Sequence, residues 1–195
     1  MTTTCSCCGS QVSDLLKNFK DEVSREVLPS GRTLVILHDD DPPDPREWDN
    51  LGTMVTFHRR YKIGDKHNFS QDELMELVKQ DNVVSLPLYL MDHSGLSLRT
   101  GSFGDRWDSG QVGYIFVTYE KLMHDFMVTE ITPEIVEKAT ASLESEVKVM
   151  DQYLGGNVYG YKLFSPDGEE EDSCWGFYGS DPAENGMYDN IGEKP

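Results

Sequence analysis

Residues 39–50, Asp-Asp-Asp-Pro-Pro-Asp-Pro-Arg-Glu-Trp-Asp-Asn, can be neither helix nor strand. Pro42, Pro43 and Pro45 lack the backbone N–H that a helix or a ladder needs, and each fixes its own φ. A loop is therefore imposed early in the chain, and every element must lie on one side of it or the other. Before it, Thr33 to Leu37 is a β-branched-rich run that reads as a buried strand. After it, Thr53 to His58 alternates and reads as a second strand. Upstream, Ser13 can cap a helix carrying Leu15, Leu16, Phe19, Val23 and Val27 on one face, which Pro29-Ser30-Gly31 would end.

The rest of the chain is divided in the same way. Ser70-Gln71-Asp72-Glu73 is a capping box ahead of Leu74, Leu77 and Val78, and so a short helix. Val83–Met91 and Leu96–Thr100 flank the turn residues Asp92-His93-Ser94-Gly95, a hairpin pattern. Val112–Val117 reads as a strand, and Thr118 caps a short helix through Phe126. Thr132 and Pro133 open the longest helix, whose apolar stripe is Val136, Ala139, Leu143, Val147, Met150 and Leu154, and Gly155-Gly156 closes it. Asn157–Phe164 and Ser173–Tyr178 pair across Pro166-Asp167-Gly168. The expectation is an α+β fold: an antiparallel or mixed sheet of six to seven strands packed against about four helices. One domain is expected over residues 11–180, between a Cys-containing tail at 1–10 and a polar tail at 181–195.

Charge is the second constraint. Seventeen Lys and Arg stand against 35 Asp and Glu, a net −18, which disfavours direct nucleic-acid binding and suits a partner with a basic surface. The charge is not a uniform shell. Residues 39–50 carry −5 and residues 165–195 carry −8, whereas residues 51–70 carry +3. No apolar run is long enough to span a bilayer, and the first residues lack the basic and apolar regions of a signal peptide, so a reducing cytoplasm is expected. Three of the four cysteines lie within the first eight residues, which is not a disulfide framework.

Several clusters carry candidate chemistry, each beside a plainer reading. Cys5 and Cys8 form a C-x-x-C-G half-knuckle for zinc, but no second pair completes it, and a tail with free thiols is the favoured reading. Cys174, in Ser-Cys-Trp-Gly-Phe, has the local look of a papain-like nucleophile, yet every histidine lies upstream of it. A structural cysteine beside a core tryptophan is favoured. Asp39, Asp40, Asp41 and Asp44 could gather a divalent cation, or form a solvated loop that docks on a basic partner. Arg59 and Arg60, in the only basic island (His58 to His67), could take a phosphate or pair internally with the acidic loop. Asp92 and His93, with Trp107, Asp108 and Gln111, are the polar turns from which a metal site or acid/base pair could be built; hairpin ends use the same residue types for backbone bonding. No cofactor is predicted.

Four segments also resemble a known family. They are Pro45 to Met54 with His58-Arg59-Arg60-Tyr61, Leu88 to Gly95, Trp107 to Gly113, and Ser173 to Tyr178. As a set they are similar to small acidic proteins encoded by bacteriophages and other bacterial mobile elements, and the similarity runs from about Thr33 to Gly179. The resemblance implies the cytoplasm of a bacterial host cell and an accessory role, and it carries over no catalytic residue. The function expected is a non-enzymatic acidic interaction module acting on a host or defence protein. The alternative is a small-ligand or metal-dependent enzyme using the Asp92/His93 and Trp107–Gln111 turns.

Overall fold

The computed structural model describes residues 18–104 and 107–195, and within them the chain is α+β. Among the described residues there are eight strands in two four-stranded antiparallel sheets, with four α-helices and one 3-10 turn. The class is the expected one; the single sheet of six to seven strands is replaced by two sheets of four. The chain divides into two compact units, residues 1–43 with 156–195 and residues 44–155. The proline-rich loop carries the first boundary.

The first unit holds β1 (Glu22–Val27), β2 (Thr33–His38), β7 (Val158–Phe164) and β8 (Glu170–Tyr178), in that order across the sheet. β2 lies inside the sheet and is buried from Thr33 to Leu37, which explains its unbroken apolar run. One face packs Leu34, Ile36, Tyr159, Tyr161, Leu163 and Phe177 against Met187 and Ile191. These last two belong to α4 (Met187–Ile191), so residues 181–195 are no polar tail but a segment that closes a core. Ser30 and Arg32 both bind the Glu193 carboxylate (2.6–2.7 Å), Tyr188 donates to Glu26 (3.0 Å), and the Tyr161 hydroxyl lies 2.7 Å from Asn190.

The helix expected upstream of Pro29 is overturned where it is described: residues 22–27 are strand β1, and the segment before residue 18 lies outside the described residues. Leu15, Phe19, Val23 and Val27 fit a helical period, but Val23 and Val27 are about half exposed, so no helical face is buried there. Pairing with β2 from Ser24↔Ile36 to Val27↔Thr33 satisfies the backbone instead.

The second unit holds β3 (Thr53–Thr56), β6 (Ser109–Thr118), β4 (Val83–Asp92) and β5 (Leu96–Arg99), again in spatial order. The long helix α3 (Pro133–Leu154) buries Ala139, Leu143, Val147 and Met150 on one face of this sheet, with Met54, Leu88, Leu90 and Ile115. The capping-box helix α1 (Gln71–Leu77) packs Leu74 on the other face with Val55 and Phe116. Helices thus cover both faces. The short α2 (Tyr119–Asp125), capped by Thr118, follows β6 directly. On the wet face of α3, Lys138 pairs with Glu134 at 2.9 Å.

A buried charge network fixes the entry to this unit. Arg46, whose side chain is only 4% exposed, binds Asp65 through two nitrogens (2.9 Å each), Glu146 of α3 (2.8 Å) and the Gly52 carbonyl (2.7 Å). Glu146 accepts from the Leu51 and Gly52 N–H groups, and Asp65 from that of Met54. Burial opposes the Arg46 charge, but the bonds from Asp65 and Glu146 outweigh it and hold the group above its ordinary pKa. A Cβ at Gly52 would stand 2.4 Å from Leu143 Cδ2, so the loop approaches the helix at a distance only glycine permits.

Candidate functional site

The β4–β5 hairpin and the start of β6 bring the predicted polar turns together in the second unit. Asp92 pairs with Leu96 in register, and His93, Ser94 and Gly95 close the turn, with Ser94 in the left-handed region at φ 52°. Met91 lies opposite Ser109 on β6, so the hairpin tip meets the Trp107–Ser109 segment. The Asp92 N–H donates to the Asp108 carbonyl (2.9 Å), and His93 Nδ1 donates to Asp108 Oδ2 (2.8 Å).

A β-bulge shapes the neighbouring backbone. Leu88 pairs with Gly113 and Tyr89 with Gln111, which leaves Val112 as the extra residue. The Val112 carbonyl accepts instead from Phe57 N–H (2.7 Å). Bulges re-aim side chains beside sites, and this one sits on the boundary of two hollows. Gly113 is required here: a Cβ would lie 1.9 Å from the Val55 carbonyl oxygen.

The larger hollow is a cleft of about 360 Å³ lined by His58, Arg60, Asp92, Trp107 and Asp108 over a floor of Leu90, Gly110 and Val112. Arg60 reaches Asp92 (3.1 Å), and the Tyr61 hydroxyl lies 3.4 Å from the other Asp92 oxygen. His58 stacks on the Tyr61 ring, centroids 5.1 Å apart and nearly parallel. Its Nδ1 accepts from the Arg60 and Tyr61 N–H groups (3.4 and 3.3 Å), which assigns the ring proton of the neutral form to Nε2. Trp107 is 95% exposed at the rim.

Gln111 does not join the cleft. It lines the adjoining hollow of about 240 Å³ with Phe57, Leu74 and Tyr114. Arg59 is exposed and lines neither hollow. The internal pairing expected between the basic island and the 39–50 loop is replaced: Arg60 pairs with Asp92, and the loop's own Arg46 takes Asp65 out of the island. His67 turns inward, donating from Nε2 to the Thr56 carbonyl (3.2 Å).

Three of the four acidic candidates, Asp39, Asp40 and Asp41, belong to the first unit. Asp39 accepts from the Gly176 N–H (3.2 Å) and the Asp41 N–H (3.2 Å), whereas Asp40 and Asp41 are exposed. Asp44 instead caps the 3-10 turn Pro45–Glu47 through Arg46 N–H (2.8 Å). The four aspartates are therefore occupied as caps or open to solvent. Among the described residues, no group of three or more His, Cys, Asp or Glu side chains is arranged to hold a metal ion; Cys5 and Cys8 lie outside the described residues.

Cys174 sits on β8 opposite Tyr161, half-buried against the core of the first unit. Its sulfur bonds the Trp175 carbonyl (3.8 Å). The neighbouring tryptophan is not the core residue expected. Trp175 is 46% exposed and lies over Gly160, where a Cβ would stand 2.1 Å from its ring.

Sequence reading passed over the Arg46–Asp65–Glu146 network, because an arginine inside an acidic, proline-rich loop reads as solvated charge. It also passed over the tyrosine hydroxyl of Tyr161, which lies 2.6 Å from Asp172 and is pushed far above the usual phenol range by burial first and that bond second. Nothing in the spacing of either set pointed to contact.

No family model matches the chain, and neither a curated protein nor a solved structure matches it. No helix is long and apolar enough to cross a membrane, among the described residues.

Proposed function

We propose that the protein is a non-enzymatic accessory module of a phage or mobile element, acting in the bacterial cytoplasm by offering carboxylates to a basic host or defence protein. The observation that carries this reading is where the charge falls. The unit formed by residues 1–43 and 156–195 has sixteen acids against six bases, although it is the smaller of the two. Two groups of its exposed acids stand at the two ends of β8. Glu169 to Asp172 lie at one end, and Asp40 and Asp41 follow the Asp39 that binds Gly176 at the other. At about 3.3 Å per residue the two groups are roughly 20 Å apart. Glu170 is paired with Lys162 (2.8 Å), but Asp40, Asp41, Glu169 and Glu171 make no ion pair among the described residues. Exposed, unpaired acids steer a basic partner and set its association rate more than its final affinity.

The test is retention of a partner from bacterial lysate by the immobilised protein, compared with a form carrying Asp40→Lys, Asp41→Lys, Glu169→Lys and Glu171→Lys. A partner held by the unaltered protein, lost on charge reversal and released by salt, supports the reading. Equal retention by both forms would refute it.

A second reading has its own observation. The Asp92/His93 and Trp107–Asp108 turns converge on one cleft, as a small-ligand site requires. Acid/base catalysis is the weaker form of that reading, because His93 and Asp108 are 69% and 42% exposed and water reaches the pair freely.

A further inference from the structure

The geometry points to the cleft of the second unit as a binding site for a small aromatic anion, a planar ring bearing a phosphate or carboxylate. This rests on the small-ligand reading of that cleft and specifies its ligand. The anion is held by Arg60 and His58, and the ring lies on the apolar floor beneath Trp107.

Four observations carry it. First, the donors are available. His58 Nδ1 is engaged by two backbone N–H groups, so its Nε2–H is the polar end left for a ligand. Arg60 uses one of its five N–H donors, on Asp92, and its side chain is 72% exposed. Its other four N–H donors can meet a ligand while Nη1 stays on Asp92.

Second, both carboxylates at the cleft already accept hydrogen bonds from side chains beside them, Asp92 from a guanidinium and Asp108 from an imidazole. Asp108 is bound by His93 (2.8 Å), and Asp92 by Arg60 (3.1 Å). A cationic ligand would have to displace both of these pairs and would meet Arg60 and His58 in the same wall.

Third, the floor has room for a ring. Leu90 and Val112 are apolar, and nothing stands within 4 Å of where a Gly110 Cβ would be. The volume, about 360 Å³, falls at the small end of ligand sites. Fourth, Trp107 is 95% exposed at the rim, a position from which an indole can stack on a bound ring.

The experiment is calorimetric titration of the full chain with adenosine 5′-monophosphate and phenyl phosphate as ring-bearing anions. Adenosine, ribose 5-phosphate and argininamide are the controls. Expected is one site per chain for at least one ring-bearing anion, with adenosine and ribose 5-phosphate weaker by about tenfold or more, since each lacks one of the two contacts. Gly110→Val fills the floor without backbone conflict and should weaken binding by about tenfold or more. Arg60→Gln should do the same by removing the charge-assisted contact. Circular dichroism of both variants should match the parent. Saturable argininamide binding that Gly110→Val abolishes, with neither anion bound, would overturn the ligand class while leaving the cleft a site. Binding of none of the five compounds would overturn the site as well, and so would anion binding indifferent to Gly110→Val.

Discussion

Arg46 holds a buried charge at the start of the second unit. Its guanidinium is buried and satisfied by two carboxylates and a carbonyl, so its removal strands Asp65 and Glu146 rather than merely losing a bond. Arg46→Leu is therefore expected to destabilise the second unit by about 3–5 kcal/mol, the usual cost of an uncompensated buried charge. Urea unfolding followed by tryptophan fluorescence checks it; a loss below about 1 kcal/mol would mean the network is solvated. Gly52→Ala acts on the same junction by a different route, forcing a methyl into Leu143, and should cost about 1–3 kcal/mol. The sequence discloses neither effect. Arg46 is surrounded by acids within its own loop, but its partners lie 19 and 100 residues away, and no local pattern encodes contacts at that range.

At the scale of elements, the legible features are those with a local physical signature. The capping box at Ser70–Glu73, the Thr132–Pro133 helix start and the turn at Asp92–Gly95 each satisfy their own backbone groups, and each stands where it was predicted. Strand β1 was not legible, because its four-residue apolar spacing is shared by a helix and only pairing with β2 decides between them. α4 was hidden for another reason. It is five residues long and amid acids, yet Met187 is fully buried and Ile191 nearly so. The closing segment it belongs to should respond to pH from both sides. Glu193 is held below the usual carboxylate range by Arg32 first and Ser30 second. Its contribution is thus present above the unfolded carboxylate value and is lost as pH falls through the lower folded value. Tyr188 is pushed up to about 12 by burial and then by its bond to Glu26. That contribution is present below the unfolded phenol value and is lost as pH rises toward about 12. Stability of the first unit should fall at both extremes in urea titrations; Glu193→Gln should blunt the acid limb, and Tyr188→Phe should shrink the alkaline one. A Glu193→Gln acid limb identical to the parent's would exclude Glu193 from it. Met187→Ala, which empties a fully buried site, should cost about 2–5 kcal/mol.

Over the whole molecule, the division of charge matters more than its total. The acidic blocks at 39–41 and 169–172 belong to one unit, and the basic island of His58 to His67 belongs to the other, together with the polar cleft. The sequence located these blocks but placed the whole 39–50 loop in one role. Its first half is an exposed acidic corner of the first unit, and its second half is the anchored start of the second. Two sheets of four strands also escape a reading by element order, since β2 pairs with β7 across more than a hundred intervening residues. If the acidic unit is the contact surface, binding should weaken steeply with salt, because exposed charges are screened within about 10 Å at 0.1 M ionic strength.

Amide hydrogen exchange of the protein with and without its captured partner tests the central claim most directly. Slowed exchange at residues 39–41 and 169–175, with residues 58–62 and 107–112 unchanged, is the result predicted. Slowed exchange confined to residues 58–62, 92–95 and 107–112 would contradict it, and would move the contact from the acidic unit to the cleft.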